Sequence, residues 1–465
     1  MRGTKQGDTN LQKKERISYW MFFLGQNIFY GLVAINMQTF FSDVGITATS
    51  IAVIMLFTKI WDAVNDPMLG VIIDKVHFKS GRFLPWLRIS FPLIMVSSVF
   101  FFLLPGQGTA TVKVIWATAA YVAWSMSYTL CDVPIFVLPT SMTDDVKERN
   151  QLLTTGRFFA MVGVTVSSVA IPVLQARLGW LPLGIIFTVV ACIAMLPLLI
   201  NGKERHIVRS EKSVTLKQMI NYVIKNKYLL IFYGALLMSG LLNFAQYIQI
   251  YLARLCLKNQ DLASVISLLS LFPLLISGIV IPFIIKRIDK FVVYIASNII
   301  AAIIGIILFF VGYSNLTVFF AIVFIQGFFT GANNILLFTF TPDCIEYGTY
   351  HTGERAEGMA ASVQTFFSKL VGSISGPIAM LLLAGFGFVA GENAIQPVAV
   401  TNGVWILYTL CPAVGMILAV GMLRFYKLRT TDVQVMAQYN NNKISRGDAE
   451  KFLKEKYGAA ADLKF

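Results

Sequence analysis

Charge is scarce in this 465-residue chain: Asp, Glu, Lys and Arg make up 13% of it, with 3 histidines and 5 cysteines. Cys131, Cys192, Cys256, Cys344 and Cys411 stand singly, mostly within apolar runs, which leaves no metal-ligand spacing and no disulfide framework. They read as packing residues. No nucleophile motif or metal-ligand cluster is present, and the carboxylates of Asp62 and Asp66 belong to one helix rather than flanking a bond, which argues against a membrane-embedded hydrolase. Barrel-type alternation is missing as well. The first apolar run follows a basic N-terminus, but it is too long for a secretory signal and has no small-residue cleavage site before Asp43.

What the chain has in abundance is apolar length. Hydrophobic residues make up 56% of it and the mean hydropathy is +0.69, well above the balance of a water-soluble domain. Runs of about 20 or more mostly apolar residues suit a hydrocarbon core about 30 Å thick. Roughly twelve such spans are expected, near 17–41, 47–74, 84–104, 112–140, 151–176 and 180–201, then 227–254, 262–285, 291–312, 316–342, 358–385 and 402–426. Helices are the only regular structure that satisfies its own backbone over such lengths. The fold class is therefore an all-α membrane protein.

Of the 38 Lys and Arg, only Lys113, Arg177, Arg254 and Lys258 fall near the odd-numbered loops, and Lys59 and Lys369 fall within spans. The rest lie in the termini and the even-numbered loops, so the positive-inside rule places both termini in the cytoplasm. The net charge of +14 is accounted for by topology and anionic lipid, with no need for nucleic acid. The polar stretch 202–226 reads as a cytoplasmic linker between an N-terminal six-helix bundle, 1–201, and a C-terminal one, 227–426. Residues 427–465 read as a cytoplasmic tail, solvated apart from a short helix around 446–457, or alternatively a surface for a cytoplasmic regulator. A weak repeat supports two halves: Pro139, Asp144, Asp145, Glu148 and Arg149 after the fourth span, Pro342, Asp343, Glu346, Glu354 and Arg355 after the tenth. Duplicated six-helix halves mark major-facilitator transporters.

Against this background the segment from Lys59 to Pro67 stands out. An ionisable group at membrane depth costs about 2.5–3.5 kcal/mol on insertion scales and is tolerated where it faces a polar cavity, pairs, or binds an ion. Helical steps of three and four put Lys59, Asp62 and Asp66 on one face, with Asn65 beside them. That face is a candidate cation site. Lys59 reads equally as part of the site or as pairing support. In the fourth span, Trp124, Tyr128, Thr129 and Asp132 share a stripe, and Arg157 begins the fifth. Taken alone, Trp124 and Tyr128 read as packing; beside Asp132 they combine a stacking surface with groups that fork sugar hydroxyls. Gln26, Asn27, Asn36 and Gln38 add polarity to the first span. Lys369 in the eleventh span reads as a buried cation paired with Asp62, Asp66 or Asp132, a coupling role. Asn243, Gln246, Gln249, Asn333 and Asn334 read either as lining or as interhelical glue. Asp74, Lys75, Lys79 and Arg82, with Lys286, Arg287, Asp289 and Lys290, read either as a latch or as orientation charge.

These residues carry a resemblance. Trp61-Asp62-Ala63-Val64-Asn65-Asp66-Pro67, then Gly81 to Trp86, Tyr128 to Pro134, Arg157-Phe158-Phe159-Ala160, Glu346-Tyr347-Gly348 and Val363 to Lys369 resemble, in order and over roughly 17–430, the glycoside-pentoside-hexuronide cation symporters, the melibiose permease group of the major facilitator superfamily. The resemblance implies a sugar or glycoside symporter driven by Na⁺, H⁺ or Li⁺, with Asp62 and Asp66 binding the cation, Asn65 affecting the choice of cation, Thr129 near it, Asp132 and Arg157 on the sugar, and Lys369 between the two. The sugar pattern departs from the group at Gln26, Asn27, Phe136 and Asn334, which argues against a simple galactoside. The 352–358 stretch is similar to the branch that carries glucuronides and related glycosides. A carrier of lipid or another small solute on a related fold is the alternative.

Overall fold

A computed structural model describes residues 11–76, 78, 80–104, 108–205, 223–352, 357–391, 394–441 and 443–457. Most of the 202–226 linker, residues 353–356 of the glucuronide-like stretch, and Lys79 therefore lie outside the described residues.

Long helices occupy all twelve expected positions. The first span is α1 (Lys13–Tyr30), a π-helical turn (Gly31–Ile35) and α2 (Met37–Asp43). Then come α3 (Ala48–Lys75), α4 (Leu84–Phe101), α5 (Ala110–Met142), α6 (Val146–Leu178) and α7 (Trp180–Asn201). The seventh span is α8 (Lys227–Leu241), α9 (Ala245–Tyr251) and a second π-helical turn (Leu252–Cys256). It is followed by α10 (Leu262–Ile284), α11 (Lys290–Val311), α12 (Leu316–Thr352), α13 (Glu357–Gly385) and α14 (Val398–Leu423). Two tail helices, α15 (Thr430–Asn440) and α16 (Arg446–Tyr457), end the described chain. Among the described residues there is no sheet, only an isolated bridge from Phe78 to Gly81. Among the described residues, ten helical stretches are long and apolar enough to cross a membrane. The protein is all-α, in keeping with the two-bundle, twelve-span architecture.

The chain forms two compact units. The first comprises Met1–Glu211 with Ala253–Ser267 and Met380–Thr401. Within it α1 packs on α6 and α7, α4 on α5 and α7, and α3 on α5. Close approach depends on small residues: a Cβ at Gly163 of α6 would sit 2.5 Å from the Leu24 carbonyl of α1, and one at Gly25 would sit 2.4 Å from the Ala191 carbonyl of α7. Dispersion and close packing, rather than expulsion of water, hold such contacts in lipid. Helix starts are capped by Thr47, Thr109 and Asp145, whose side chains accept from Ser50, Val112 and Lys147 amides.

The second unit comprises Lys212–Leu252, Leu268–Ala379 and Asn402–Phe465. Here α11 packs on α12, and α12 also meets α8 and α15. An aromatic core joins Tyr228, Phe232, Tyr233, Phe340, Tyr347 and Tyr426. The tail departs from the sequence expectation. The expected helix at 446–457 is present, but α15 precedes it, and Asp432, Val433, Met436, Ala449 and Leu453 are buried. The described tail is docked rather than solvated. Its apolar residues are too few to raise local hydropathy, yet helical spacing gathers them on one face. Asn440 Nδ2 donates to the Glu346 carboxylate at 2.8 Å, and Arg429 stacks on the Phe291 ring at 3.9 Å.

Candidate functional site

Two parallel rungs join α3 to α5. On α3, Asp62 and Asp66 are one helical turn apart; on α5, Ser125 and Thr129 are one turn apart. The Ser125 hydroxyl donates to Asp62 Oδ1, and the Thr129 hydroxyl donates to Asp66 Oδ1 at 2.9 Å. Asn65, fully buried, donates from Nδ2 to Thr129 Oγ1 at 3.3 Å, while its Oδ1 is buried with no hydrogen-bond partner. On the outer side of the Asp62 rung, Lys59 Nζ lies 3.3 Å from Oδ2. That ammonium also neighbours the phenols of Tyr121 and Tyr30. Lys59 and Asp62 side chains retain 26% and 24% of their exposure, so the pair is half-buried rather than sealed.

This arrangement answers the cost of placing charge in a span. Carboxylates in a low dielectric are stabilised by hydrogen-bond donors and opposite charge. Serine and threonine provide donors without adding charge, and each hydroxyl keeps two acceptor lone pairs. The site therefore presents carboxylate, hydroxyl and amide oxygens together, the donor set of a hard cation.

The stripe of sugar candidates lies along the same helix and its neighbours. Asp132 accepts from Gln26 Nε2 of α1 at 2.7 Å; it is half-buried, and Gln26 is fully buried. Tyr128 stacks on Trp124, centroids 5.1 Å apart, and lies 5.8 Å from Tyr30, which is 39% exposed. Trp124 itself is buried and donates from its indole to Ser98 at 3.1 Å, so it backs the Tyr128 ring instead of presenting a face. Arg157 is exposed and sits over the Phe136 ring at 5.8 Å; Phe136 also meets Phe23 edge-on. Asn27 turns its amide to the Phe23 carbonyl at 2.9 Å.

The second unit holds the other candidates. Lys369 is exposed on α13, and its carbonyl accepts from the Ser373 hydroxyl at 2.7 Å. Asn333 pairs with Asn298 of α11 at 3.1 Å, an interhelical bond, whereas Asn243, Gln246 and Asn334 are exposed. Lys290 bridges to Asp343, and Asp289 caps α11 by accepting from the Phe291 amide, so both are engaged inside their own unit.

Four side chains near the site escaped the sequence reading: Ser125, Tyr121, Tyr30 and Ser98. Ser125 had a signal, since a hydroxyl four residues before Thr129 repeats the spacing of the carboxylates it meets. Tyr121, Tyr30 and Ser98 had none beyond ordinary transmembrane packing residues.

A family model described as MFS/sugar transport protein matches residues 18–430. The chain is 29% identical over 438 residues to an isoprimeverose transporter of Lactiplantibacillus pentosus, covering 91% of this chain and 90% of that protein. It is 23% identical over 437 residues to a glucuronide carrier protein homolog of Escherichia coli strain K12, covering 92% and 95%. Among solved structures, the nucleoside transporter NupG is similar in fold, with a TM-score of 0.64 at 14% identity over 89% of this chain and 99% of that one.

Proposed function

Because the chain belongs to the MFS/sugar transport protein family, and is a secondary transporter of a small solute working by alternating access rather than an enzyme, we propose that it is a cation-coupled glycoside symporter whose coupling seat is the Asp62–Asp66 face. The observation that carries this reading is the pair of hydroxyl-to-carboxylate rungs from α5 to α3, with the unpartnered, buried Asn65 oxygen beside them. Two ionised carboxylates one turn apart repel, so an empty seat favours uptake of Na⁺, Li⁺ or H⁺. Filling it removes negative charge from the α3 face that Thr129 of α5 touches, one turn before Asp132, where the solute is bound. Each ligand then favours the other, and a coupling of about 1–3 kcal/mol links their occupancies.

On the solute side, Asp132 and Arg157 fork hydroxyls, Tyr128 and Tyr30 offer ring faces backed by Trp124, and Phe136 lies under Arg157. The amides Gln26 and Asn27 add no negative charge, which suits a hexuronide-type anion paired with Arg157 better than a simple galactoside. The relatives named for isoprimeverose and glucuronide support a glycoside. Lys369 is the intramembrane cation of the second half and takes the coupling role. Both termini lie in the cytoplasm of a bacterial cell membrane, by the distribution of Lys and Arg.

The test is uptake by the purified full-length protein in proteoliposomes, using a glycoside panel under imposed Na⁺, Li⁺ or proton gradients. Asp62→Asn and Asp66→Asn are expected to abolish cation stimulation, and Asn27→Asp to alter solute preference. Gradient-driven uptake at the unsubstituted level in both carboxylate variants would remove the coupling seat. Competition by lysolipid instead of glycosides would reassign the cargo.

A further inference from the structure

We infer that Ser125 is a positioning residue of the coupling seat and decides how strongly the seat prefers a metal cation over a proton; this rests on the reading of Asp62 and Asp66 as that seat. The two rungs are equivalent. Thr129 holds Asp66, and Ser125 holds Asp62 in the same way, one turn along α5. A hydroxyl that spends its proton on a carboxylate still has two lone pairs. The Ser125 oxygen, 5% exposed as a residue, therefore faces the space between the helices as an acceptor while its proton fixes the direction of the Asp62 carboxylate.

The rest of the seat shows why an acceptor there has a use. Asn65 Oδ1 is fully buried and bonds to nothing, although an unsatisfied acceptor of this kind costs about 1–3 kcal/mol. An acceptor left open beside two carboxylates fits a cation between them. Asp62 Oδ2 is already engaged with Lys59 at 3.3 Å, and the Ser125 hydroxyl orients the remaining oxygen, Oδ1.

Metal ions and protons place different demands on such a seat. A hard cation needs several oxygens at once, each at a defined distance. A proton needs only one carboxylate oxygen. Removing the Ser125 hydroxyl therefore weakens Na⁺ and Li⁺ coupling while leaving H⁺ coupling in place, and replacing it with a thiol does the same because sulfur is a soft ligand of similar size. Threonine retains the hydroxyl.

The experiment compares Ser125→Ala, Ser125→Cys, Ser125→Thr and Asp66→Asn in full-length protein in proteoliposomes. Two quantities are read: the cation concentration giving half-maximal stimulation of uptake, and the thermal stabilisation produced by Na⁺ or Li⁺ alone. Ser125→Ala and Ser125→Cys are expected to raise the half-maximal Na⁺ and Li⁺ concentrations about tenfold, equivalent to about 1.4 kcal/mol, with proton-driven uptake within about twofold of the parent and Ser125→Thr near normal. Equal loss for all three cations, or failure of Ser125→Thr to preserve Na⁺ preference, would assign Ser125 to packing and overturn the inference. An unchanged cation profile in Ser125→Ala, with stimulation abolished in Asp66→Asn, overturns the role of Ser125 and leaves the seat intact. Full stimulation in Asp66→Asn removes the seat itself. Should Ser125→Ala fail to fold, the Cys and Thr variants decide by the same ratio.

Discussion

The Asp43 carboxylate receives both arms of the Arg254 guanidinium, Nη1 to Oδ1 at 2.5 Å and Nη2 to Oδ2 at 3.0 Å. Both residues belong to the first compact unit, although 211 positions separate them. Their side chains are 3% and 16% exposed. Trp180 donates from its indole to Asp43 Oδ2 at 3.0 Å, and Gln260 and Gln175 accept two further guanidinium hydrogens at 2.8 and 3.2 Å. The loss of one member of a buried ion pair is felt through the charged partner left behind.

Arg254→Gln is expected to cost about 3–5 kcal/mol, because it strands the buried Asp43 charge. Asp43→Asn is expected to cost less, since Trp180 still has an amide oxygen to donate to. The double variant should be more stable than the sum of the two losses predicts, as for residues that share one contact. Thermal unfolding of the purified protein in detergent measures all three. Strict additivity would show that the two side chains do not depend on each other.

A second prediction concerns Glu204, which follows α7 and accepts from the amides of Arg82, Phe83 and Leu84 at 2.9, 2.8 and 2.7 Å. These are the otherwise orphaned donors at the start of α4, and a carboxylate there also complements the helix dipole. Gly81 has φ +136°, and a Cβ on it would lie 2.6 Å from Glu204 Oε1. Glu204→Ala should destabilise the first unit by about 1–3 kcal/mol, and Gly81→Ala should do so through backbone strain as well as the clash. Hydrogen exchange across 81–87 is expected to accelerate in both. Unchanged exchange in Glu204→Ala would refute the capping role.

The third prediction is a pH dependence at the tail. Burial acts to raise the pKa of Asp289, but the amides of Thr430 and Phe291, the Thr430 hydroxyl and the Arg429 guanidinium outweigh it, leaving the carboxyl below its usual value. A carboxyl that is more acidic in the folded state stabilises that state above the unfolded pKa, about 3.9 for Asp. The contribution is lost as pH falls through the lower folded value. Hydrogen exchange in α15 should therefore rise as the solution is acidified below about pH 4, and Asp289→Ala should show the faster exchange already at neutral pH with a flatter pH profile. An Asp289→Ala profile identical to the parent would remove Asp289 as the anchor.

The positions of the spans were legible because their cause is local. Apolar run length matches the hydrocarbon thickness whatever the neighbours do. The same holds for the Lys59, Asp62, Asn65 and Asp66 face, since helical periodicity alone brings those residues together. Breaks within spans were harder to see. The π-helical turns at Gly31–Ile35 and Leu252–Cys256 lie inside stretches that read as continuous helix, and the second of them carries Arg254. An inserted residue leaves hydropathy unaltered, so composition gives no warning of it.

The amino-acid sequence by itself determined that this is a helical membrane protein with intramembrane carboxylates, because both properties follow from run length and from spacing along one helix. Tertiary structure alone decided that Ser125 completes the Asp62 rung, that Trp124 backs Tyr128 from a buried position, that Asp43 meets Arg254, and that the tail docks against α12. Those choices depend on which helix faces which, and the energy that selects them comes from packing and hydrogen bonds between residues distant in the chain.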